Sequence, residues 1–325
     1  MESTRSDLAS QLLTDRRFLT FAGTETYLLF QQGFNLRDFC AFEVLEDESA
    51  WKQLEQEMLI PILDAAAQAG HGVLTDSLCW RAAPDFVSSL GYSPEHIAHF
   101  NKLGSERIKS TIDTWRASSG KTEVDCPVIL STEIGPRGDG YAVPEAAITI
   151  QAARDYHRTQ LSAIAQSHAH LAAALTMTNI NESCGLAIAA KELDLPIVIS
   201  PTIETDGRLP DGITLSDFIR TVDAITKAAP LFYMVNCAHP THLEPVLAEA
   251  KANQEPWLDR LRGFRANASC KSHEELDNAT ELDRGDHQDL AQRMAEMSSN
   301  YGINVIGGCC GTDAEHIRSM IKSIG

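Results

Sequence analysis

The sequence predicts a (β/α)8 barrel, a TIM barrel of the α/β class. Along its 325 residues, eight short apolar runs alternate with longer amphipathic stretches. The interiors of the apolar runs are continuously hydrophobic, as expected for parallel strands covered on both faces. Eight strand and helix units in strict alternation favour a closed barrel. A doubly wound open sheet is the alternative, because periodicity does not show whether a sheet closes.

The predicted elements follow this alternation from end to end. The strands are residues 17–21, 72–76, 127–131, 170–178, 196–202, 231–236, 263–267 and 303–308. The helices are residues 51–70, 94–117, 151–167, 182–194, 215–229, 241–251, 286–300 and 312–324. No repeat or linker divides the chain, so we predict one domain over residues 1–325. The long irregular segments all follow strands, on the face where barrel enzymes build their active sites.

Composition excludes some partners. The formal net charge is −18 and the pI is near 5.0, which argues against binding to nucleic acid or to an anionic membrane surface. No apolar run approaches the roughly 20 residues of a membrane span. The polar start of the chain is not typical of a signal peptide, so we expect a cytoplasmic protein. Whether it forms a homo-oligomer stays open.

Three of the eight cysteines stand apart by their positions. Cys309 and Cys310 lie in GGCCGT, directly after the eighth strand, and Cys237 directly follows the sixth strand. The ends of these strands lie on the same face of a barrel with one neighbour between them, so the three thiols can converge. Three thiolates suit Zn²⁺ and leave its fourth position open, the pattern of a catalytic site.

Two other interpretations of these residues remain at this point. In the first, Cys309 and Cys310 serve only to fill a glycine-rich turn, since short motifs have real false-positive rates. Alternatively, His239 or His242 of CAHPTH supplies a metal ligand.

The motifs VNC and GGCCGT resemble the zinc motifs of the homocysteine S-methyltransferase family. This family includes betaine–homocysteine methyltransferase and the homocysteine domain of methionine synthase. The resemblance extends to ETYLLFQQG (25–33), IGPRGDGY (134–141) and LPDGITL (209–215). It implies a (β/α)8 barrel and Zn²⁺ bound by Cys237, Cys309 and Cys310. It also implies methyl transfer from an onium-type donor to a homocysteine-like thiol, activated as a zinc thiolate.

The sequence departs from the family pattern where the amino acid is recognised. The Asp-Gly-Gly run usual after strand one is replaced by FAG (21–23), with Glu25 a few residues on. The Glu-Thr pair usual after strand four is replaced by Thr178 and Asn179. A buried ammonium group without a carboxylate is costly, so we expect altered recognition of the amino acid: either Asp76, Glu204 or Asp206 supplies the charge from another loop, or the native thiol differs from homocysteine. The predicted substrate-binding residues are Glu25, Asp76, Thr178, Asn179, Glu204 and Asn236, with Asp206 a further source of charge.

The sequence therefore predicts a zinc-dependent S-methyltransferase whose partners are a small-molecule thiol acceptor and a methyl donor. The alternatives are a family member that acts on a different thiol, another zinc-activated reaction such as hydrolysis, and an inactive ligand-binding relative. Arg137 is expected to pair with Asp139 rather than to bind a substrate carboxylate.

Overall fold

The computed structural model describes residues 4–138, 140, 148–277 and 281–325, with only the backbone of Asp277. All the strands described pair in parallel within one sheet. They are β1 (Phe18–Thr20), β2 (Gly72–Leu74), β3 (Val128–Ile129), β4 (Ser131–Ile134), β5 (Leu171–Met177), β6 (Ile197–Pro201), β7 (Tyr233–Ala238), β8 (Leu261–Ala266) and β9 (Val305–Gly308).

The sheet closes through the third predicted strand. The strand order is β3-β2-β1-β9-β8-β7-β6-β5-β4, and only Leu130 separates β3 from β4 along the chain. The Leu130 carbonyl accepts hydrogen bonds from His170 N at 2.7 Å and Leu171 N at 3.3 Å, so pairing passes from β2 to β5 at this residue. The two ends of the order are therefore one predicted strand. The (β/α)8 prediction is confirmed, and the open-sheet alternative is wrong.

Each predicted helix is present, with boundaries shifted by a few residues. These helices are Glu95–Ser119, Ile150–Ala165, Ile180–Glu192, Leu215–Thr226, Pro240–Ala252, His287–Tyr301, Ala314–Ile324 and, for 51–70, Glu48–Leu54, Glu55–Leu59 (a π-helical turn) and Ile60–Gln68. Short additional helices are Arg5–Ser10, Thr24–Thr26 running into the π-helical turn Tyr27–Gln31, Pro84–Ser89 and His273–Asp277. Single 3-10 turns cover Gln11–Leu13, Arg37–Phe39, Ala41–Glu46 and Pro256–Arg260.

The buried apolar side chains form two layers. Alternate strand residues such as Leu171 and Ala173 belong to a cluster inside the barrel, whereas Ala172 and Ala174 pack outward against the helices. Leu12 joins the inner cluster from the N-terminal segment, which Asn304 anchors by donating to the Leu12 carbonyl at 3.0 Å. The N-terminal segment thus covers one end of the barrel, and the carboxyl ends of the strands are left to build a site. No helix in the described ranges is long and apolar enough to cross a membrane.

Candidate metal centre and active site

Three cysteine sulfurs converge at the carboxyl ends of β7 and β9. The Sγ atoms of Cys237, Cys309 and Cys310 all lie within 4.8 Å of one another, and those of Cys237 and Cys309 are 2.7 Å apart. Around a tetrahedral zinc ion with Zn–S distances of about 2.3 Å, sulfurs are about 3.8 Å apart. The cluster therefore has a size and a donor chemistry that could hold a metal ion.

Crowding of the three thiols makes the cluster receptive to a cation. The hydrogen bond with Cys237 is the main reason that the pKa of Cys309 rises to about 12, and the pKa of Cys310 is also raised well above its usual value by its two neighbours. Cys237 thus opposes the ionisation of both other thiols, since thiolates at this distance repel, whereas the hydrogen bond with Cys310 partly offsets the rise at Cys309. A metal ion removes that cost by balancing the negative charges.

Two left-handed residues inside strands shape the floor of the site. Thr176 (φ 61°) lies where the pairing of β5 with β6 shifts register, and Cys237 (φ 55°) lies where the pairing of β7 with β8 shifts. Neighbouring side chains of a regular strand point to opposite faces. Here Asn236 and Cys237 line the same cavity, as do Leu175 and Thr176. The bulges thus bring consecutive side chains to one side, at the cost of local strain.

Asn236 joins these strands through its buried amide. Its Oδ1 accepts from Thr176 N at 2.8 Å and from Ser200 Oγ at 2.7 Å. Its Nδ2 donates to Thr176 Oγ1 at 2.8 Å and to Cys237 Sγ at 3.2 Å. One side chain therefore connects β5, β6 and β7 and orients a cysteine sulfur.

The segment that carries Cys309 and Cys310 is held against the first strand. Thr312 Oγ1 donates to the Cys309 carbonyl at 2.7 Å and accepts from Gly23 N at 3.1 Å. A Cβ atom at Gly23 would lie 2.2 Å from the Cys309 carbonyl oxygen, so no larger residue fits there without movement. Gly311 follows with φ +81°, a conformation that favours glycine. These contacts fix the position of the two adjacent cysteines.

The sulfurs open onto a cavity with an empty volume of about 530 Å³ that also contains three carboxylates. Glu25 comes from the short helix after β1, Asp76 from the residues after β2, and Glu133 from β4. Asp76 and Glu133 are buried, and Glu25 is partly buried. Among the described residues lining this cavity, Arg265 of β8 is the only cationic side chain.

Arg265 neutralises one of the three carboxylates. Its Nη1 and Nη2 atoms donate to Asp76 Oδ1 at 2.8 Å and Oδ2 at 2.5 Å, a bidentate pair. Burial raises the pKa of Asp76, and the guanidinium opposes that rise. The Arg265 Nε atom donates to the Gly308 carbonyl at 3.3 Å, beside the cysteine segment.

The other two carboxylates have no such cationic partner among the described residues. Both Glu133 oxygens accept from Ser77 N at 2.8 Å, and one accepts from Ser77 Oγ at 2.6 Å. Burial, with the charge of Asp76, nevertheless raises the pKa of Glu133 to about 8. Loss of hydration raises the pKa of Glu25 to about 7. The cavity therefore favours uptake of either protons or a cation.

The family described as "Homocysteine S-methyltransferase" matches residues 36–324. The chain belongs to the homocysteine S-methyltransferase family. It is 23% identical over 279 residues to homocysteine S-methyltransferase 1 of Zea mays, covering 78% of this chain and 80% of that protein. It is 24% identical over 275 residues to homocysteine S-methyltransferase 2 of Arabidopsis thaliana, covering 79% and 80%.

Solved structures show the same fold. The metallated form of the homocysteine methyltransferase MmuM from Escherichia coli superimposes with a TM-score of 0.72 and 18% identity, covering 97% of this chain and 99% of that one. The apo form of MmuM gives a TM-score of 0.64, also at 18% identity. Membership of the homocysteine S-methyltransferase family makes this protein a methyltransferase that acts on small molecules. The predicted family and enzyme class are confirmed.

The structure places the predicted substrate residues in two groups. Glu25, Asp76 and Asn236 line the cavity with the cysteines. The remaining predicted residues do not line it. The side chain of Asn179 caps a helix by accepting from Glu182 N at 2.8 Å, and Thr178 is buried beside it.

The predicted residues on the neighbouring loops also have other partners. Glu204 lies 2.9 Å from His273 Nδ1, and the carboxylate of Asp206 accepts from Arg208 N at 3.0 Å. His239 caps its own helix through Thr241 N, and His242 Nε2 lies 3.0 Å from the Cys270 carbonyl. In the described part of the chain, neither histidine belongs to a group that could hold a metal ion.

Sequence reasoning missed Glu133, Arg265 and Thr176. Glu133 had a signal, since it follows the apolar run 127–131 at the strand end where barrel enzymes place functional groups. Arg265 also had one, as a charge inside the otherwise uncharged GFRAN strand. Thr176 had none, because a bulge leaves no mark in this sequence. Arg137 lies 2.8 Å from Asp85, and its predicted partner Asp139 lies outside the described residues.

Replacing Glu133 by glutamine should change how stability depends on pH. The pKa of Glu133 rises from the ordinary value of 4.5 to about 8 on folding. Its contribution to stability is therefore complete at a pH below the ordinary pKa of 4.5 and is lost as the pH rises through about 8. We expect the free energy of unfolding of metal-free wild type to fall more steeply between about pH 5 and about pH 8.5 than that of Glu133→Gln. The divergence should reach at least about 1.4 kcal/mol, the equivalent of one pKa unit.

The measurement is urea denaturation of chelator-treated protein across this pH range. Glu106→Gln, which removes an exposed carboxylate from a helix, is the matched control and should follow the wild-type profile. Parallel profiles for wild type and Glu133→Gln would contradict the raised pKa of Glu133.

Proposed function

We propose that this protein is a zinc-dependent homocysteine S-methyltransferase in which Cys237, Cys309 and Cys310 hold the metal. The observation that carries the proposal is the position of the three sulfurs, which share one cavity with two carboxylates that lack a cationic partner. Homocysteine offers both a thiol and an ammonium group, and the cavity has a place for each. The methyl donor is an onium compound.

Zinc suits the site on the chemistry of its donors. Three sulfurs, with no described histidine or carboxylate in the same cluster, favour a borderline-soft ion of tetrahedral preference. When bound, zinc supplies the Lewis acidity that lowers the pKa of an acceptor thiol beside it.

Glu25 and Glu133 are suited to bind the ammonium group of the acceptor. With Asp76 balanced by Arg265, these two carboxylates hold the surplus negative charge of the cavity. An ammonium group stabilises their ionised forms and so lowers their raised pKa values. Glu133, at the end of the third predicted strand (127–131), would thus take the place of the acid that the sequence lacks after the fourth predicted strand (170–178).

The remaining residues of the cavity position the reactants. Asn236 orients the Cys237 sulfur, and Thr312 and Gly23 fix the backbone of Cys309. Trp80 is held by a hydrogen bond from its Nε1 to the Leu175 carbonyl at 3.2 Å and lines the cavity wall. Rigid placement of both substrates is the main contribution that a protein makes to a displacement reaction of this kind.

Removing one cysteine should abolish stoichiometric metal binding. We expect purified wild type to contain about one zinc per chain and Cys310→Ala less than about 0.2, because a site with two sulfurs is a much weaker zinc site. Metal content is measured by plasma emission after dialysis, and zinc affinity by competition with a chromophoric chelator. Cys270→Ala, which changes an exposed cysteine outside the cluster, should retain the wild-type content. Wild type without zinc affinity, or Cys310→Ala with unchanged affinity, would refute the proposed site.

Neutralising Glu25 should weaken binding of homocysteine but not of a thiol without an amino group. The probes are homocysteine and 4-mercaptobutyrate, which has the same thiol and carboxylate and no ammonium group. We expect Glu25→Gln and Glu133→Gln each to raise the Kd for homocysteine by about 10- to 100-fold, the usual effect of losing a hydrogen bond to a charged group. The Kd for 4-mercaptobutyrate should change much less.

Calorimetric titration of zinc-loaded protein measures both constants, with Glu106→Gln as the control. Equal weakening of both thiols would assign the two glutamates to structure rather than to ammonium binding. If wild type binds both thiols equally, the acceptor is a thiol other than homocysteine.

A further inference from the structure

A second cavity adjoins the first and shares part of its wall. Its empty volume is about 1190 Å³. The residues that line both cavities are Thr26, Phe39, Trp80 and Cys310. A molecule in the second cavity would therefore lie beside Cys310 and the cysteine cluster. This is the position that the methyl donor of the proposed reaction requires.

Arg81 brings a positive charge to this second cavity. Its guanidinium carbon lies 4.9 Å from the centre of the Trp80 ring and 4.6 Å from that of Phe86. One of its Nη atoms donates to the Asp38 carbonyl. Two stacking contacts and one hydrogen bond hold the side chain in place, so little conformational entropy would be lost on binding an anion.

Arg81 has no ion pair among the described residues, although the carboxylates of Glu281 and Asp283 line the same cavity. No described carboxylate lies within ion-pair distance of Arg81, whereas Asp283 of the same cavity pairs with Lys271 at 3.0 Å. The Nε atom of Arg81 is buried and has no hydrogen-bond partner among the described residues. Buried donors in folded proteins usually have a partner. The Nε atoms of Arg16, Arg116 and Arg262 lack a described partner too, but of these four arginines only Arg81 lines the second cavity, where an acceptor on a bound ligand would reach it.

Aromatic rings form another part of the same cavity. Phe30, Phe39 and Trp80 all line it, and the Phe30 side chain is 44% exposed. Aromatic faces attract onium cations, whose charge is spread over methyl groups. The cavity therefore combines surfaces for a cationic centre with a fixed guanidinium for an anionic group.

We propose that Arg81 is the residue that binds the carboxylate of the methyl donor and so sets how strongly this chain prefers a carboxylate donor to its uncharged analogue. This rests on the proposed function. In the reaction, the bond between the methyl carbon and the onium sulfur or nitrogen breaks, and its electron pair stays on that atom to leave a neutral sulfide or amine. The acceptor sulfur forms the new bond to the methyl carbon, and the thiol proton is released. Arg81 acts on the donor carboxylate and takes no part in these bond changes.

The test compares each donor with its own carboxamide, which keeps the onium centre and removes the negative charge. The probes are S-methylmethionine and glycine betaine, each against its primary amide, with homocysteine as the acceptor. We expect Arg81→Met to raise the KM of the carboxylate donor that wild type uses by about 10- to 100-fold. The KM of the matching amide should stay within about two-fold, as should that of homocysteine, and Arg81→Lys should recover part of the loss.

Unchanged turnover of the amide by Arg81→Met shows that the variant is folded. The matched control is Arg137→Met. Arg137 lines neither cavity, and its guanidinium carbon lies 4.6 Å from the centre of the Tyr156 ring. This variant should leave all the constants unchanged. Equal effects of Arg81→Met on carboxylate and amide, or no effect on either, would overturn the inference.

Failure of the proposed function gives a different result. If wild type transfers methyl groups from no donor, the proposed function is wrong. The role of Arg81 is then decided by calorimetric titration of the protein with each donor and with its amide. Tighter binding of the carboxylate form that is lost in Arg81→Met supports the inference. Equal binding of the two forms, or binding of neither, overturns it.

Discussion

The candidate active site depends on the hydrogen bonds of one buried amide. Asn236 connects β5, β6 and β7 through Thr176, Ser200 and Cys237, at the point where two strands leave regular geometry. That connection helps to offset the strain of the left-handed conformations of Thr176 and Cys237, together with the 2.6 Å contact between His273 Nε2 and the Cys237 carbonyl. The position of the Cys237 sulfur beside Cys309, and hence the cysteine cluster, follows from this arrangement. In metal sites, loss of a supporting hydrogen bond of this kind typically lowers metal affinity or activity by about 10- to 100-fold.

A second constraint is the balance of charge inside the barrel. The first cavity contains three carboxylates, and Arg265 neutralises only Asp76. The raised pKa values of Glu25 and Glu133 express the cost of the remaining negative charge. In the adjoining cavity, Arg81 is a positive charge without a described carboxylate beside it. The first cavity thus lacks a positive charge and Arg81 of the second lacks an ion-pair partner, and the two substrates of the proposed reaction would bring an ammonium group to one and a carboxylate to the other.

The sequence was sufficient to predict the alternating strands and helices and the cysteines that lie at strand ends. Alternating apolar runs predicted the barrel, and residues directly after strands six and eight predicted the cysteine cluster, because strand ends of a barrel share one face. The same rule could have identified Glu133. The bulges at Thr176 and Cys237 were out of reach, since their conformation is imposed by tertiary contacts rather than by local preference. The pairing of Asp76 with Arg265 was also out of reach. The two residues are 189 positions apart in the sequence, and hydrophobic periodicity does not show which side chains meet inside the barrel.

The central claim is that three cysteine sulfurs, and no histidine, hold the metal. X-ray absorption at the zinc edge tests it most directly, on protein loaded with one equivalent of zinc in the absence of substrate. The account predicts three sulfur neighbours at about 2.3 Å and one lighter neighbour, with no imidazole scattering. Two or fewer sulfurs together with the outer-shell pattern of imidazole would contradict it and return His239 and His242 to consideration as ligands.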